Sequence, residues 1–189
     1  MAPTDTTPAY GTARDHRAAA EALAALEGLE QGTHEVRVSR SGLRLSNLHK
    51  VLFPADGTRK VDLLRDYAML APALLPHARG RALTLKRYPD GVEAEPFFQK
   101  RAPQHRPDWV HVSDPIGDQR VSYVQLDDVR TLLWVANLAS IELHVLLSKA
   151  RAPQRPTALV FDLDPGEGTS VVECCEVGLL VRELLGDLE

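Results

Sequence analysis

A chain of 189 residues with 44% hydrophobic and 25% charged side chains can close a sizeable core, and its composition is that of an ordinary soluble globular protein. No apolar run approaches the about 18–20 residues of a membrane span, and Met1 to Tyr10 is polar, without the apolar stretch of a secretory signal. The net charge of −4 is unevenly spread: residues 34–110 carry 14 Lys and Arg against 8 Asp and Glu (+6), residues 111–189 carry 6 against 13 (−7), and residues 1–33 carry 2 against 5 (−3).

A basic stretch joined to an acidic one is the charge pattern of a protein that handles a polyanion, with a functionless basic surface as the alternative. The two cysteines, Cys174 and Cys175, are adjacent, which suits neither a zinc site nor a disulfide framework. A reducing cytoplasm is therefore the expected compartment, with both thiols as small buried or half-buried residues.

Residues 1–33 read as an N-terminal appendage. Thr4 to Ala13 has the Thr/Pro/Ala/Gly composition of disorder, and Ala18 to Leu29 has helical propensity. From Glu35 the alternation predicts a strand, with Leu43 to Ser46 as its partner. Ser46 to Pro54 reads as a turn or short helix. Val61, Leu64, Tyr67, Leu70 and Leu74 space a helix to about Ala78, kinked or ended by Pro72 and Pro76. Strands follow at Arg81–Arg87, at Phe97–Lys100 and around Val121–Val124. A helix capped by Asp127 runs to about Leu138, and Glu142–Leu146 reads as a strand. Ser170 and Glu173 form a capping box that opens a last helix to about Leu185. The irregular mixture predicts an α+β fold, an irregular α/β sandwich, rather than a regular doubly wound sheet.

Ala158-Leu-Val-Phe-Asp-Leu-Asp-Pro-Gly-Glu-Gly168 carries the chemistry. A strand sends residues i and i+2 to one face, so Asp162 and Asp164 are expected side by side at a strand end that Pro165 and Gly166 stop. Two close carboxylates repel, and a divalent cation that prefers hard oxygen ligands, Mg²⁺ or Mn²⁺, removes the conflict. Such a pair suits phosphoryl or nucleotidyl transfer, with a solvated strand end as the bland alternative.

Several segments then fall into one order: Asn47-Leu-His-Lys-Val-Leu-Phe-Pro54, Gly57-Thr-Arg-Lys60, Leu75-Pro-His-Ala-Arg-Gly-Arg81, Lys86-Arg-Tyr-Pro-Asp-Gly91, Phe97-Phe-Gln-Lys100, Glu142-Leu-His-Val145 and Leu159-Val-Phe-Asp-Leu-Asp-Pro-Gly166. In this order and spacing, from about Val38 onward, the chain resembles the polymerase domain of bacterial ligase D, of the archaeo-eukaryotic primase superfamily. The resemblance makes residues 34–189 the N-terminal portion of such a domain. It implies that Asp162 and Asp164 bind two divalent ions, usually manganese, and that His144 lines the nucleoside triphosphate site. It further implies that Lys50 and Lys60 read a 5′-phosphate at a DNA gap or broken end. Phe97 and Phe98 match rings that stack on bases beside that end, where strand alternation expects one ring in the core and one exposed. Lys86 and Arg87, on a strand, reach phosphates.

The family's Ser-Gly-x-Lys-Gly-x-His segment and third metal-binding aspartate are missing, so the expectation is a primase-polymerase-like fold that is truncated. A marginal monomer completed by a second polypeptide is expected with it, because lost strands leave sheet edges open. The leading function is template-dependent nucleotidyl transfer at DNA ends in double-strand-break repair by non-homologous end joining, in the cytoplasm on the nucleoid, with Ku and a separate ligase as partners. The alternative is a non-catalytic module that binds a 5′-phosphorylated end. An aspartyl phosphatase is excluded locally, because Gly166 stands where its D-x-D-x-[ST] motif needs a hydroxyl.

Overall fold

In the computed structural model, which describes residues 10–29, 31–39 and 41–186, the chain begins with helix α1 (Ala13–Leu26). Thr12 and Asp15 cap it reciprocally: Thr12 Oγ1 accepts from the Asp15 N–H at 3.2 Å, and Asp15 accepts from the Thr12 N–H at 3.0 Å. Ala18, Ala22 and Leu26, spaced by four, form a buried stripe that joins the core. The expectation of an appendage is thus corrected for these residues, because small side chains let α1 approach its neighbours closely. The disorder expected from Thr4 falls largely outside the described residues.

Strands β1 (Thr33–Val38) and β2 (Ser41–Ser46) pair antiparallel, with Val36, Val38, Leu43 and Leu45 alternating inward. Short strands β3 (Val51–Phe53) and β4 (Thr58–Arg59) pair next. They replace the expected turn or short helix, since a β-branched residue and a ring precede Pro54, which disfavours helix before itself. Helix α2 (Lys60–Ala78) then runs through both Pro72 and Pro76 without ending. Each proline removes one hydrogen bond, but Val61, Leu64, Ala68, Ala71 and Leu75 anchor one side in the core. Packing decides the outcome, since truncating one such buried leucine costs about 2–5 kcal/mol.

Strand β5 (Ala82–Arg87) organises the sheet. β8 (Ser140–Val145) lies along one edge of it, and β6 (Phe97–Gln99) and β7 (Val124–Gln125) share the other, all antiparallel. Helix α3 (Val129–Asn137) is capped by Asp128, one residue beyond the expected cap, whose carboxylate accepts from the Thr131 N–H at 2.7 Å. Its Leu132, Leu133, Val135 and Ala136 complete the core with α1 and α2.

The chain divides into two units, up to Thr157 and from Ala158. In the second, residues 158–166 belong to no strand, against expectation. Among the described residues nothing pairs with them, and a strand exists only through its ladder. Helix α4 (Val171–Gly186) opens as expected: Glu173 accepts from the Ser170 N–H at 2.8 Å, and Ser170 Oγ accepts from the Val172 N–H at 3.2 Å. Cys174 is half-buried, and Cys175 is exposed rather than covered.

Candidate nucleic-acid interface

Lys50 and Lys60 come together because the β3–β4 turn closes on itself. The Lys60 N–H donates to the Lys50 carbonyl at 2.8 Å, and the Val61 N–H donates to Leu48 at 2.9 Å. With Arg87 at the end of β5 they line a cavity of about 300 Å³, closed by Ser46, Asn47, Asn137 and Ala139. Lys60 is the first residue of α2, where the helix dipole favours an anion, although its own N–H and that of Val61 are already spent on the Lys50 and Leu48 carbonyls. It is 5% exposed, and among the described residues no carboxylate pairs with it. Burial, then the Lys50 and Arg87 cations, push its pKa down to about 8. Lys50 is held by Asp90 at 2.7 Å. Arg87 donates to the Leu138 carbonyl and to Gln99 Oε1, both at 2.8 Å. Three cations thus surround one cavity, with Asp90 as the single carboxylate paired to any of them among the described residues.

The cavity rim carries two left-handed non-glycine residues, Asn47 (φ 54) and Ala139 (φ 57). Asparagine adopts this conformation readily, whereas alanine bears about 1–2 kcal/mol. Ala139 is held there by its own N–H, which donates to Ala136 at 2.8 Å, and by its carbonyl, which accepts from the Tyr88 N–H at 2.8 Å. Such strain gathers where loops must present a ligand site.

The opposite face of β5 presents Lys86, which pairs with Glu142 at 2.7 Å. Glu142 also accepts from the Tyr88 hydroxyl and lies 3.2 Å from His144 Nε2. The Lys86 bond, followed by the Tyr88 bond, holds the Glu142 carboxyl down to about 2. Phe98 meets His144 edge-on with centroids 5.6 Å apart, and the Lys86 ammonium lies 5.6 Å from the same ring. Phe97 lies on the other face, 5.1 Å from the Arg87 guanidinium. The two rings do point opposite ways, but both are exposed, at 43% and 59%. This corrects the expectation of one core ring: β6 is three residues long and no layer covers either of its faces.

In the second unit Asp162 and Asp164 line one pocket of about 290 Å³ with Thr169, Glu173 and Cys174. Glu173 is already engaged by Ser170, which leaves two free carboxylates. Among the described residues no group of three His, Cys, Asp or Glu is placed to hold a metal. Glu142, Tyr88, Asn137 and Ala139 were not singled out from the sequence. Only Glu142 carried a usable signal, since it shares a strand face with His144 two residues on.

The family model described as the LigD primase-polymerase domain matches residues 59–189. Curated relatives include the multifunctional non-homologous end joining protein LigD of Mycolicibacterium smegmatis, 39% identical over 152 residues, covering 78% of this chain and 20% of that protein. The Bacillus subtilis bifunctional LigD is 34% identical over 123 residues, covering 65% of this chain and 20% of that protein. Among solved structures, the polymerase domain of Mycobacterium tuberculosis ligase D in complex with DNA matches with a TM-score of 0.67 and 31% identity, over 77% of this chain and 54% of that one. Mixed helices and antiparallel strands around a cationic cavity define a primase-polymerase type of α+β fold. The chain belongs to the LigD primase-polymerase domain family. It spans about a fifth of the length of the curated relatives and about half of the solved domain. Among the described residues no helix is long and apolar enough to cross a membrane.

Proposed function

We propose that this chain is a DNA-end-directed nucleotidyltransferase module that works in non-homologous end joining on nucleoid DNA. The observation that carries the reading is the Lys50–Lys60–Arg87 cavity, whose charge and buried Lys60 without a carboxylate among the described residues suit the 5′-phosphate of a gap or broken end. A neighbour of the same fold, solved with DNA, supports it. In this reading Lys60 and Arg87 grip the phosphate, and Lys50, half-neutralised by Asp90, adjusts to it. Phe97 stacks on a base beside the anchored end, a contact worth about 1–3 kcal/mol.

On the other face, Lys86 and His144 bind oxygens of a nucleoside triphosphate, and Glu142 orients both. Asp162 and Asp164 form a donor set of hard oxygens that fits Mn²⁺ or Mg²⁺, ions that take one or two carboxylates and fill the remaining positions with phosphate and water. When bound, the ions supply activation of a 3′-hydroxyl and neutralisation of the triphosphate. In this reading an end-binding protein such as Ku acts before this step and a ligase after it.

Ribonucleotide incorporation at a 5′-phosphorylated gap with Mn²⁺ is the test. Incorporation should disappear in Asp162→Ala while end binding persists. Incorporation that survives the substitution removes Asp162 from the reaction. End binding without incorporation in the unsubstituted protein identifies a module that only binds.

A further inference from the structure

A second cationic cavity, of about 360 Å³, opens at the start of β5, at the other end of the strand from Arg87. Arg79, Gly80, Gln125, Lys149 and Arg151 line it, with Asp114 as its one carboxylate. The Lys149 stem lies over Gly80, whose added Cβ would sit 3.6 Å from Lys149 Cδ, and its ammonium donates to the Arg79 carbonyl at 2.5 Å. Ala150 fastens this segment by donating to the Gly80 carbonyl at 2.8 Å. The ammonium is therefore held in place rather than waving in solvent. Arg81, adjacent, spends its guanidinium on the carbonyls of His77 and Leu146 and on the Thr157 hydroxyl, and so keeps its full charge. Among the described residues Arg151 makes no ion pair, and Arg79 alone is neutralised, by Asp15 at 2.7 Å. Burial and then the Arg81 and Arg151 cations lower the Lys149 pKa, which Asp127, whose carboxylate accepts from the Gly80 N–H at 2.9 Å, only partly offsets. A positioned ammonium among uncompensated guanidiniums is a site that a bound anion would stabilise.

We propose that this cavity binds a backbone phosphate of the DNA duplex whose 5′-phosphate occupies the Lys50–Lys60–Arg87 cavity. It rests on that reading for the position of the duplex end. The length of β5 sets the spacing: a six-residue strand spans about 20 Å, and at about 3.4 Å per base pair the second contact falls about six base pairs from the end. The cavity is a phosphodiester contact that reads duplex length and no sequence.

The test is fluorescence anisotropy on 5′-phosphorylated hairpins with stems of about 4 and about 12 base pairs, using the full chain and its Arg151→Glu and Lys149→Ala variants. Both variants should weaken the long stem by about tenfold, lower the salt slope by about 1 for each lost contact, and leave the short stem and the 5′-phosphate preference unchanged. Equal weakening on both stems, or none with the exposed Arg151→Glu, overturns the second contact. Free inorganic phosphate that competes only with the short stem also counts against it. If the unsubstituted chain shows no preference for 5′-phosphate but the two variants still weaken only the long stem, the end reading fails and the second contact stands. If no duplex binds at all, both fail.

Discussion

The backbone N–H of Lys60 donates to the carbonyl of Lys50 at 2.8 Å, so two lysines ten positions apart are tied main chain to main chain. The bond fixes where the two side chains leave the main chain. One of them, Lys60, stays buried without a carboxylate, an arrangement that lowers stability and suits an anion.

Replacing Lys60 by Met should therefore have opposite effects on stability and binding. An uncompensated buried charge is removed, so Tm rises. A charge-assisted bond worth about 1.5–3 kcal/mol is lost, so preference for 5′-phosphate over 5′-hydroxyl falls by about 10–100-fold. Thermal melts and anisotropy on paired duplexes measure the two effects. A drop in both together means that Lys60 is structural.

The same lysine sets a pH dependence. Its folded pKa of about 8 lies below the unfolded value of about 10.4. Between these values the unfolded chain binds more protons, so this residue's contribution makes stability rise with pH there, and its full cost applies below about 8. Phosphate binding runs the other way, because the anion favours the ammonium. Preference for the 5′-phosphate should be full below pH 8 and decline above it, in Lys60 but not in a Lys60→Arg variant.

Asp15 anchors α1 across the core. Burial alone would raise its pKa, but bonds from the Thr12 N–H and hydroxyl and from Arg79 outweigh it and hold it below the ordinary carboxylate value. That contribution is present above the unfolded pKa and lost as pH falls through the depressed folded one. Asp15→Ala should cost about 1–3 kcal/mol, discounted because Arg79 is partly solvated. Thermal melts at neutral and acid pH measure it, and the difference between parent and variant should shrink in acid.

The two phenylalanines should separate by function. Phe97→Ala, on the Arg87 face, should weaken end binding by about five- to 100-fold, the value of one base stack. Phe98→Ala, beside His144, should raise KM for the nucleotide and leave end affinity unchanged. Identical effects of the two substitutions would mean that the faces do not divide the labour.

Periodicity made much of this fold legible. The alternation at Val36 to Leu45, the β5 run and the Leu132–Leu133–Ala136 face are local signals, and each appears where the spacing places it. The Ser170 cap is local too. What escaped depends on partners remote in sequence. The Asp162–Asp164 segment has strand composition but no ladder among the described residues, and composition cannot supply one. Pro72 and Pro76 obey a local rule that core packing overrides. The Ala-rich α1 showed its propensity but not the stripe that binds it to α2 and α3. The pairing of Lys50 with Lys60 is legible only through the family resemblance, because the turn that carries it is closed through backbone groups, which no spacing of side chains reveals.

Adjacent positions 86 and 87 of β5 put one cation on each side of a single sheet. The strand works as a partition, with an anion cavity behind Arg87 and the Glu142–His144 network in front at Lys86. A partition made this way cannot be adjusted on one side alone. A one-residue slip of β5 would carry each cation to the opposite face and disrupt both compartments at once. Insertions between Gly80 and Tyr88 should therefore abolish both properties together, while the surface loops around them tolerate change.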